Sequence, residues 1–536
     1  MTFGMKLRLW ARNAPRSNVL ATSAVGVAVA VAVVAALLPG GGDDAGTALF
    51  TAPVAGGDTT AGPVGGSEGA VDGSEAGDAA TSPASALTPS AGAAGGSTSG
   101  DPAPGGSGSS GASAPGGAGA AAGSGGSAAS GAPVQLTASD QGVTEETIKV
   151  GFLIPSLAGL GNVGAAATDS RTDLEAVIKA YVDHVNETGG VAGRKVVYVT
   201  TESDPVNASS QQAACIRLAT DEKVFAAFDT ASTLGVSQNC YAQRGVILTT
   251  TASQTNSEQN FQRNGGMLAS SGSSQNRVLL NWADLALAAG FIGPDKGKLG
   301  ILSTECAPDP EAIDGDFKPY LKQKGIDYLD VRVSCDLAAA QQQVAGAVLQ
   351  FRQAGVDRVL PSAIFVTVNN FLQAAESQRY RPTYYCSDMW GMCLDIFTSN
   401  FPAAQWDGAK GFTFSHSGAD KAGAPLSPAV QRCSKILTDA GVPGVTEQMG
   451  KDAGAVAFCD SFFLWVSAMK HAPPNPRRAD FPAALVAVGD TWESPYAGRA
   501  IFRSGKFNGG DDYSPVQWSG DCSCYTQTGP RAAAAH

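Results

Sequence analysis

The sequence has few histidines and no cysteine pair at the spacing that zinc sites use. Only four histidines occur among 536 residues, at the scattered positions His184, His416, His471 and His536. The ten cysteines include no Cys-x-x-Cys pair. Structural zinc needs clustered cysteine and histidine ligands at short spacings. We therefore expect no metal site and no cofactor.

Motifs for phosphate binding and hydrolysis are also missing after Gly142, where the composition becomes that of a globular protein. The glycines at 159, 161 and 164 are not followed by Gly-Lys-Ser or Gly-Lys-Thr, and no Gly-x-Ser-x-Gly sequence occurs in this part. A histidine on a predicted helix surface (His184) and one in a possible hinge strand (His416) fit structural roles better than that of a base. The sequence predicts a protein that is not an enzyme.

Basic residues are outnumbered. The chain has 36 Lys and Arg against 48 Asp and Glu, which gives a net charge of −12. No basic stripe is present, so nucleic acid is not an expected partner.

Charge is absent between Val19 and Leu38, where the chain is almost wholly apolar. Twenty residues in a helix span a bilayer core, and the basic residues before this run orient the N-terminus inward. We divide the start of the chain into a short cytoplasmic basic segment, 1–18, and a signal peptide or transmembrane anchor, 19–38. Both alternatives stay open, and the length favours the anchor. In either case the rest of the chain lies on the extracytoplasmic face.

Large side chains are scarce from residue 39 to residue 141, where Gly, Ala, Ser, Pro and Thr dominate. Such a segment cannot bury enough apolar surface to offset the entropy of ordering it, so a disordered linker is predicted. A flexible chain of roughly 100 residues reaches about 50–60 Å. This linker would hold a globular head away from the membrane.

Apolar runs alternate with amphipathic helical patterns from Gly142 onward. The segment Ile148–Ile154 predicts a strand, residues 169–185 a helix, Asn186–Arg194 a glycine turn, and Lys195–Thr201 a second strand. Together they form a right-handed βαβ unit. The alternation continues and restarts after residue 266, which predicts an α/β protein with two parallel sheets covered by helices. Residues 498–502 and 513–518 are predicted to form a terminal β pair.

Small hydroxyl residues follow two successive predicted strands, in the loops 229–233 and 251–255. Ligands of open parallel sheets bind outside the carboxyl ends of the strands. Hydroxyl groups and free backbone N–H groups there favour a carboxylate, although helix capping alone would also explain them. Asp388, at an equivalent strand end of the second lobe, is positioned to receive an ammonium group, or else caps a turn.

The even number of cysteines in an exported chain predicts disulfides. Five bridges allow many pairings, and we favour local ones. The preferred pairs are Cys215 with Cys240, Cys306 with Cys335, and Cys386 with Cys393. Cys522 and Cys524 are separated by one residue, so each is expected to bridge elsewhere, to Cys433 and Cys459.

These features together resemble the type 1 periplasmic binding proteins, particularly the branched-chain amino-acid binding subunits of ABC importers. The resemblance covers about Thr147 to Trp518. Its most specific segments are Ile148–Ile154, Asn186–Arg194, Asp221–Phe225, Gly245–Leu248 and Tyr385–Asp388. It implies two Rossmann-like lobes joined by three hinge crossovers, the periplasmic binding protein-like I fold. Lobe 1 would comprise 142–268 and 416–494, and lobe 2 would comprise 269–415 and 495–528, before a disordered tail at 529–536.

The resemblance also implies a set of ligand-binding residues. The loops that hold the ligand carboxylate in the family correspond to Ala231, Ser232, Thr233, Ala252, Ser253 and Gln254. Asp388 would hold the ligand amine. The loop at 305–310 lacks the family's usual aromatic residue. Phe365 is the nearest candidate for a second expected aromatic, and Trp390 would compensate.

The implied function is that of a monomeric extracytoplasmic solute-binding protein for an ABC transporter permease. The ligand would be an amino acid, an amide or a small carboxylate, and the N-terminal helix would contact the membrane. A ligand-sensing receptor ectodomain is the alternative, and a secreted hydrolase is the least favoured reading. The sequence leaves the ligand's identity open.

Overall fold

The structure, a computed structural model, describes residues 134–156, 171–230, 235–251, 255–306, 308–447 and 449–536. The predicted basic segment (1–18), the predicted anchor or signal peptide (19–38) and most of the predicted linker lie outside these ranges. Within them, no helix combines the length and apolar character needed to cross a membrane.

The strands follow the predicted alternation. They are β1 Thr147–Pro155, β2 Lys195–Ser203, β3 Ala226–Asp229, β4 Ile247–Thr250, β5 Leu268–Ser270, β6 Leu299–Thr304, β7 Tyr328–Val333, β8 Arg358–Pro361, β9 Thr383–Cys386, β10 Lys410–Thr413, β11 Trp492–Ser494, β12 Gly498–Ala500, β13 Asp512–Ser519, β14 Cys524–Gln527 and β15 Ala532–Ala533.

The helices lie between them. They are α1 Arg171–Glu187, α2 Ala208–Ile216, α3 Val236–Gln243, α4 Glu258–Arg263, α5 Gln275–Ala288, α6 Lys318–Gln323, α7 Leu337–Gln353, α8 Phe365–Ser377, α9 Asp395–Thr398, α10 Ala403–Trp406, α11 Pro428–Asp439, α12 Ala453–Met469 and α13 Phe481–Val488. Two π-helical stretches, Arg217–Asp221 and Pro310–Phe317, extend α2 and precede α6.

The strands form two main sheets. The first has the order β2-β1-β3-β4-β5 and is parallel throughout. In the second, β7, β6, β8, β9 and β10 are parallel, and β13 and β14 continue the sheet in antiparallel pairing. The predicted α/β class with parallel sheets is confirmed. The predicted terminal β pair is wrong, because β12 pairs with β11 while β13 joins the second sheet.

Each sheet has its own hydrophobic core, and the chain passes between the cores three times. Residues 271–274 lead from β5 to α5, residues 414–427 lead from β10 back to α11, and residues 501–511 lead from β12 to β13. The predicted boundary at 494/495 is displaced, because Phe502 and Phe507 still pack in the first core. Both are large apolar side chains that the pattern could not assign to one lobe.

The carboxyl edge of the first sheet faces the second lobe. Val206 follows the carboxyl end of β2 and packs against the second core. Beside the hinge, the Arg263 guanidinium of lobe 1 pairs with the Glu311 carboxylate of lobe 2 at 3.0 Å. The crevice between the lobes therefore lies where the strands of both sheets end.

The glycine turn before β2 ends in a buried arginine. Arg194 is 1% exposed, and all five N–H bonds of its guanidinium donate hydrogen bonds. The acceptors are the carbonyl oxygens of Thr137, Thr144, Ala192 and Pro474 and the side-chain oxygen of Asn475, at 2.6–3.0 Å. The turn is thus a structural anchor as well as a helix end.

The end of the predicted linker is bound to lobe 1, which corrects the boundary at residue 141. Thr137 donates its N–H to Asn475 at 2.9 Å, and Asp140 pairs with Arg478 at 3.0 Å. Arg194 accounts for this ordering, since its guanidinium needs the Thr137 carbonyl as an acceptor. The composition of the predicted linker could not reveal the hydrogen bond from Arg194 to Thr137, because the two residues are far apart in the sequence.

The predicted disordered tail, 529–536, is also wrong. Residues 532–533 form β15 and pair with β13. The Arg531 guanidinium donates to the carbonyls of Phe414 and Ser415 and to the Asp512 carboxylate, at 2.6–2.9 Å. The tail therefore ties the second crossover to the start of β13.

The three preferred disulfides, Cys215–Cys240, Cys306–Cys335 and Cys386–Cys393, are all present. The remaining prediction is wrong, because Cys433 bridges Cys459 and Cys522 bridges Cys524. Ser523 adopts a positive φ of 49°, which folds the backbone so that the two flanking Cα atoms lie 5.1 Å apart.

Candidate functional site

The two predicted binding loops of lobe 1 leave adjacent strands. Asp229 and Thr250, the last residues of β3 and β4, are paired in the sheet. The Thr251 hydroxyl donates to the Thr230 carbonyl at 3.5 Å, which links the bases of the two loops. The predicted residues themselves lie outside the described residues: Ala231, Ser232, Thr233, Ala252, Ser253 and Gln254.

The lobe 2 side of the crevice is formed by the loops after β6, β8 and β9. These strands are parallel and adjacent, so their carboxyl ends meet at one edge. Asp309, Ser362 and Asp388 follow the three strands in that order, and all three side chains are buried. Polar side chains therefore gather where the fold places its ligand crevice.

Asp388 is held by the second crossover. Its Oδ2 accepts hydrogen bonds from the Thr413 hydroxyl at 2.9 Å and from the backbone N–H groups of Phe414 and Ser415, the latter at 2.8 Å. Its Oδ1 has no hydrogen-bond partner among the residues that the structure describes. One carboxylate oxygen thus holds the second crossover, and the other keeps its capacity to accept.

The electrostatics of Asp388 follow from this environment. Burial raises the pKa of the Asp388 carboxyl to about 6, against the hydrogen bonds from Thr413, Ser415 and Phe414 and the charge of Arg531, which lower it. Above that pH the group is a buried anion, and its Oδ1 has no partner among the described residues. A donor that carries positive charge is the partner that such a group stabilises best.

Trp390 lies in the same loop, closed by the Cys386–Cys393 bridge. The residue is 4% exposed and adopts a left-handed conformation with φ of 53°, which is rare for a large side chain. Its indole N–H approaches the Asp309 carboxylate and lowers the pKa of Asp309, without reaching hydrogen-bond geometry. Backbone strain of this kind concentrates at ligand sites and switch regions.

Asp309 is a second buried carboxylate at this edge, and sequence reasoning did not single it out. Its oxygens accept from the Thr304 N–H and hydroxyl, both at 2.8 Å, and from the Gln275 carboxamide. Burial raises the pKa of the Asp309 carboxyl to about 6. Its hydrogen bonds tie the end of β6 to the first turn of α5, so we assign it a positioning role.

Phe365 begins α8 and stacks on Phe397, with ring centroids 4.5 Å apart. Phe397 in turn packs against a small cluster that both lobes share: Leu394, Ile396, Met449, Ala453, Ala457, Tyr496 and Ala497. The predicted aromatic residue therefore lies beside an apolar zone that bridges the lobes. Phe397 carries no signal in the sequence, because its partners come from distant segments.

His416 lies on the second crossover and is 8% exposed. Burial lowers the pKa of its imidazole to about 3, helped by the charge of Arg531. The ring is therefore neutral at physiological pH. In the described part of the chain, no group of three or more His, Cys, Asp or Glu side chains is arranged to hold a metal ion.

Comparison with known proteins agrees with this architecture. Residues 147–522 match the sequence model of a family described as periplasmic binding protein. No curated protein sequence matches the chain.

Several solved structures share the fold. A fatty acid ABC transporter substrate-binding protein from Thermomonospora curvata is 16% identical, with a TM-score of 0.53 over 74% of this chain and 95% of that one. An ABC transporter solute-binding protein from Rhodopseudomonas palustris BisB5, in complex with 3,4-dihydroxybenzoic acid, is 16% identical, with a TM-score of 0.52 over 73% and 98%. A leucine-binding protein from Thermotoga maritima MSB8 is 12% identical, with a TM-score of 0.53 over 72% and 99%.

Proposed function

Because this chain belongs to the periplasmic binding protein family, we propose that it captures a small polar solute between its two lobes for an ABC importer. The family consists of ligand-binding proteins without catalytic activity that act outside the cytoplasm, and this chain is one of them. The N-terminal segment 1–38 and the linker would tether the binding head to the membrane. The head would act as a monomer and deliver its ligand to a permease.

Asp388 carries the proposal. A buried carboxylate whose Oδ1 lacks a partner among the described residues has one accepting site to offer. Among the buried polar atoms without a partner in the described residues, Asp388 Oδ1 is the one carboxylate oxygen, and it lies where the fold binds its ligands, so we assign it to a ligand. The ligand group that fits is an ammonium or an amide N–H.

The rest of the ligand is inferred from the neighbouring residues. Phe365 and Phe397, beside the apolar zone that both lobes share, suit a small apolar side chain. The loops at 231–233 and 252–254 would hold a carboxylate through hydroxyl and backbone N–H groups. The three solved structures named above are described as binding leucine, a fatty acid or a dihydroxybenzoic acid, which are all carboxylates. An amino acid with an apolar side chain meets all of these requirements, and an amide or small carboxylate meets some.

Closure would couple binding to transport. The ligand would bond Asp388 in lobe 2 and the carboxylate loops in lobe 1 together only when the lobes are closed, so binding shifts the population toward the closed state. The three crossovers are the segments that would bend. The closed form would then be the one that the permease recognises.

A thermal-shift screen with amino acids, amides and small carboxylates tests the function. A ligand that binds only the native state raises the melting temperature. We expect L-leucine or a similar apolar amino acid to give the largest shift. A complete lack of response to all three compound classes would contradict the proposed function.

Substitution of Asp388 tests the site. Asp388→Asn should weaken binding of the identified amino acid by roughly 10- to 100-fold, because a hydrogen bond to a charged group contributes about 1.5–3 kcal/mol. Asp407 is the matched control, since its carboxylate also accepts a backbone N–H, from Gly520 at 2.7 Å, but at the amino end of β10. Calorimetry should find Asp407→Asn unchanged. Equal affinity of the Asp388→Asn protein and the wild type would remove Asp388 from the site.

A further inference from the structure

A second cavity lies on lobe 1, away from the crevice between the lobes. It has a volume of about 490 Å³ and opens between the C-terminal part of α1, helix α11 and the C-terminal half of α12. Known small-molecule sites have volumes of about 300–1,000 Å³. The part of α1 that lines it, His184–Val185, is followed by β2, so the cavity lies toward the amino end of that strand. It is thus separate from the strand ends where the solute would bind.

The wall of the cavity is mainly apolar. Ile436 on α11, Phe463 and Val466 on α12, and Trp492 on β11 all line it. The Phe463 ring is fixed by edge-on contacts with Tyr181 and His184, with centroids 5.6 and 6.2 Å apart. Ile436, Phe463 and Trp492 pack on the first core while each keeps part of its surface exposed. This is a preformed concave surface that can receive an apolar group.

The rim is positively charged. Arg432, Lys435 and Lys470 line the cavity, and Asp439 is the only carboxylate among the residues that line it in the described structure. The Asp439 carboxylate forms an ion pair with the ammonium group of Lys435, four residues before it on α11, with Nζ and Oδ2 2.8 Å apart. Arg432 reaches an exposed carboxylate, Glu493, only at 3.5 Å.

Lys470 has no ion pair with any residue that the structure describes. It is exposed at the end of α12, one turn beyond Val466 of the cavity wall. The cavity therefore presents two cations, Arg432 and Lys470, whose charges are not fully compensated. In a chain with a net charge of −12, this local excess is complementary to an anion.

From this combination we propose that the lobe 1 cavity binds a small organic anion with an apolar body. The apolar body would lie against Phe463, Val466 and Trp492, and the anionic group would face Arg432 and Lys470. The site is independent of the solute between the lobes. Its occupant is defined by two requirements, an apolar chain or ring that fills part of 490 Å³ and a single carboxylate or sulfonate.

Octanoate is a suitable probe, with octan-1-ol as its uncharged counterpart. Isothermal titration calorimetry on the full chain should show saturable binding of octanoate and at least tenfold weaker binding of octan-1-ol. The double variant Arg432→Gln/Lys470→Gln should raise the Kd for octanoate at least tenfold. Lys410→Gln, which removes an exposed lysine at the start of β10 in lobe 2, is the control and should leave the Kd unchanged.

A variant that fills the cavity tests its location. Ser467 on α12 lines the cavity and is partly exposed, so Ser467→Trp should block octanoate binding while the melting temperature stays within a few degrees of the wild type. A saturating concentration of L-leucine, the expected solute, should leave the Kd for octanoate unchanged, which separates this site from the crevice between the lobes. The proposal is overturned if octan-1-ol binds as tightly as octanoate. It is equally overturned if the Gln double variant and the Trp variant both bind octanoate like the wild type.

Discussion

Two buried charges in this molecule use their hydrogen bonds in opposite ways. Arg194, at the amino end of β2 in lobe 1, donates all five of its N–H bonds to protein oxygens. Asp388, beyond β9 in lobe 2, receives three hydrogen bonds on Oδ2, and its Oδ1 receives none from the described residues.

The difference separates a structural charge from one that can bind a ligand. Burial of either group has a desolvation cost, and hydrogen bonds must offset it. Arg194 has no donor left to offer, so it can only hold the chain together. Asp388 can still accept a hydrogen bond on Oδ1. The hydrogen bonds on Oδ2, which hold the second crossover, offset part of its desolvation cost. Burial alone does not distinguish Arg194 from Asp388, because both are almost fully buried.

Arg194→Ala should produce the largest loss of stability. It leaves five neutral acceptors without their donor, and because one hydrogen bond to a charged group contributes about 1.5–3 kcal/mol, loss of all five should cost at least about 3 kcal/mol. Urea denaturation measures the loss, while the affinity for the solute stays that of the wild type. Arg352→Ala is the control, because Arg352 is exposed and gives a single hydrogen bond, to the Gln378 carbonyl. A loss below about 1 kcal/mol for Arg194→Ala would contradict the structural role.

Arg531→Ala should have the next largest effect. The side chain joins the second crossover to Asp512, and loss of its charged hydrogen bonds should cost about 2 kcal/mol. Because the crossovers are the proposed hinges, solute affinity should change as well. Urea denaturation and calorimetry measure the two effects. Arg381→Ala removes an exposed pair with Glu376 and should do neither. An unchanged stability would show that the tail does not restrain the crossover.

The pH dependence of stability provides a third test, through Asp460. This residue of α12 bonds Ser271 of the first crossover and Trp492, and burial raises the pKa of its carboxyl from 3.8 to about 6. The folded chain therefore binds this proton more readily than the unfolded chain, and the contribution of Asp460 to stability rises as the pH falls from 7 toward 4. Asp460→Asn removes the titration.

Urea denaturation of both proteins at pH 7, 6 and 5 measures this contribution. The free energy of unfolding of the wild type minus that of Asp460→Asn should increase by about 1 kcal/mol from pH 7 to pH 5. Other titrating groups, including His416, are common to both proteins and cancel in the difference. A difference that stays constant with pH would contradict the raised pKa.

Asp388→Asn should have the smallest effect on stability and yet a large effect on binding. The asparagine oxygen can accept the three hydrogen bonds of Oδ2, and a neutral group replaces a buried charge. We expect the free energy of unfolding to change by less than about 1 kcal/mol. A destabilisation as large as that of Arg194→Ala would show that Asp388, like Arg194, has a structural role.

Local patterns predicted most of the elements. The mainly apolar runs at 148–154 and 453–469 form β1 and α12, because their length and composition allow few alternatives. The pairing of β13 with β10 was not predictable in this way, since it depends on partners about a hundred residues apart. The tail 529–536 has no pattern of its own. Its order comes from Arg531 and β15, which bind distant backbone.

The candidate site was predictable in position more than in detail. Asp388 follows a strand, and the fold places such ends at the crevice. Its hydrogen bonds to residues 413–415 depend on how the second crossover passes the loop, which no local pattern encodes. Asp309 escaped notice because a single acidic residue between two prolines is typical of a turn. The ligand-binding role of residues 231–233 and 252–254 in lobe 1 remains a prediction.

The clamp around Arg194 has a mechanical consequence. The chain enters the described structure at Val134, and its first fixed points are Thr137 and Asp140, both bonded within lobe 1. Any tension in the preceding segment is therefore borne by Arg194, Asn475 and Arg478, at the end of lobe 1 away from the hinge. If the preceding segment is the proposed tether, it would hold the head through lobe 1, and neither the three crossovers nor lobe 2 would carry that load.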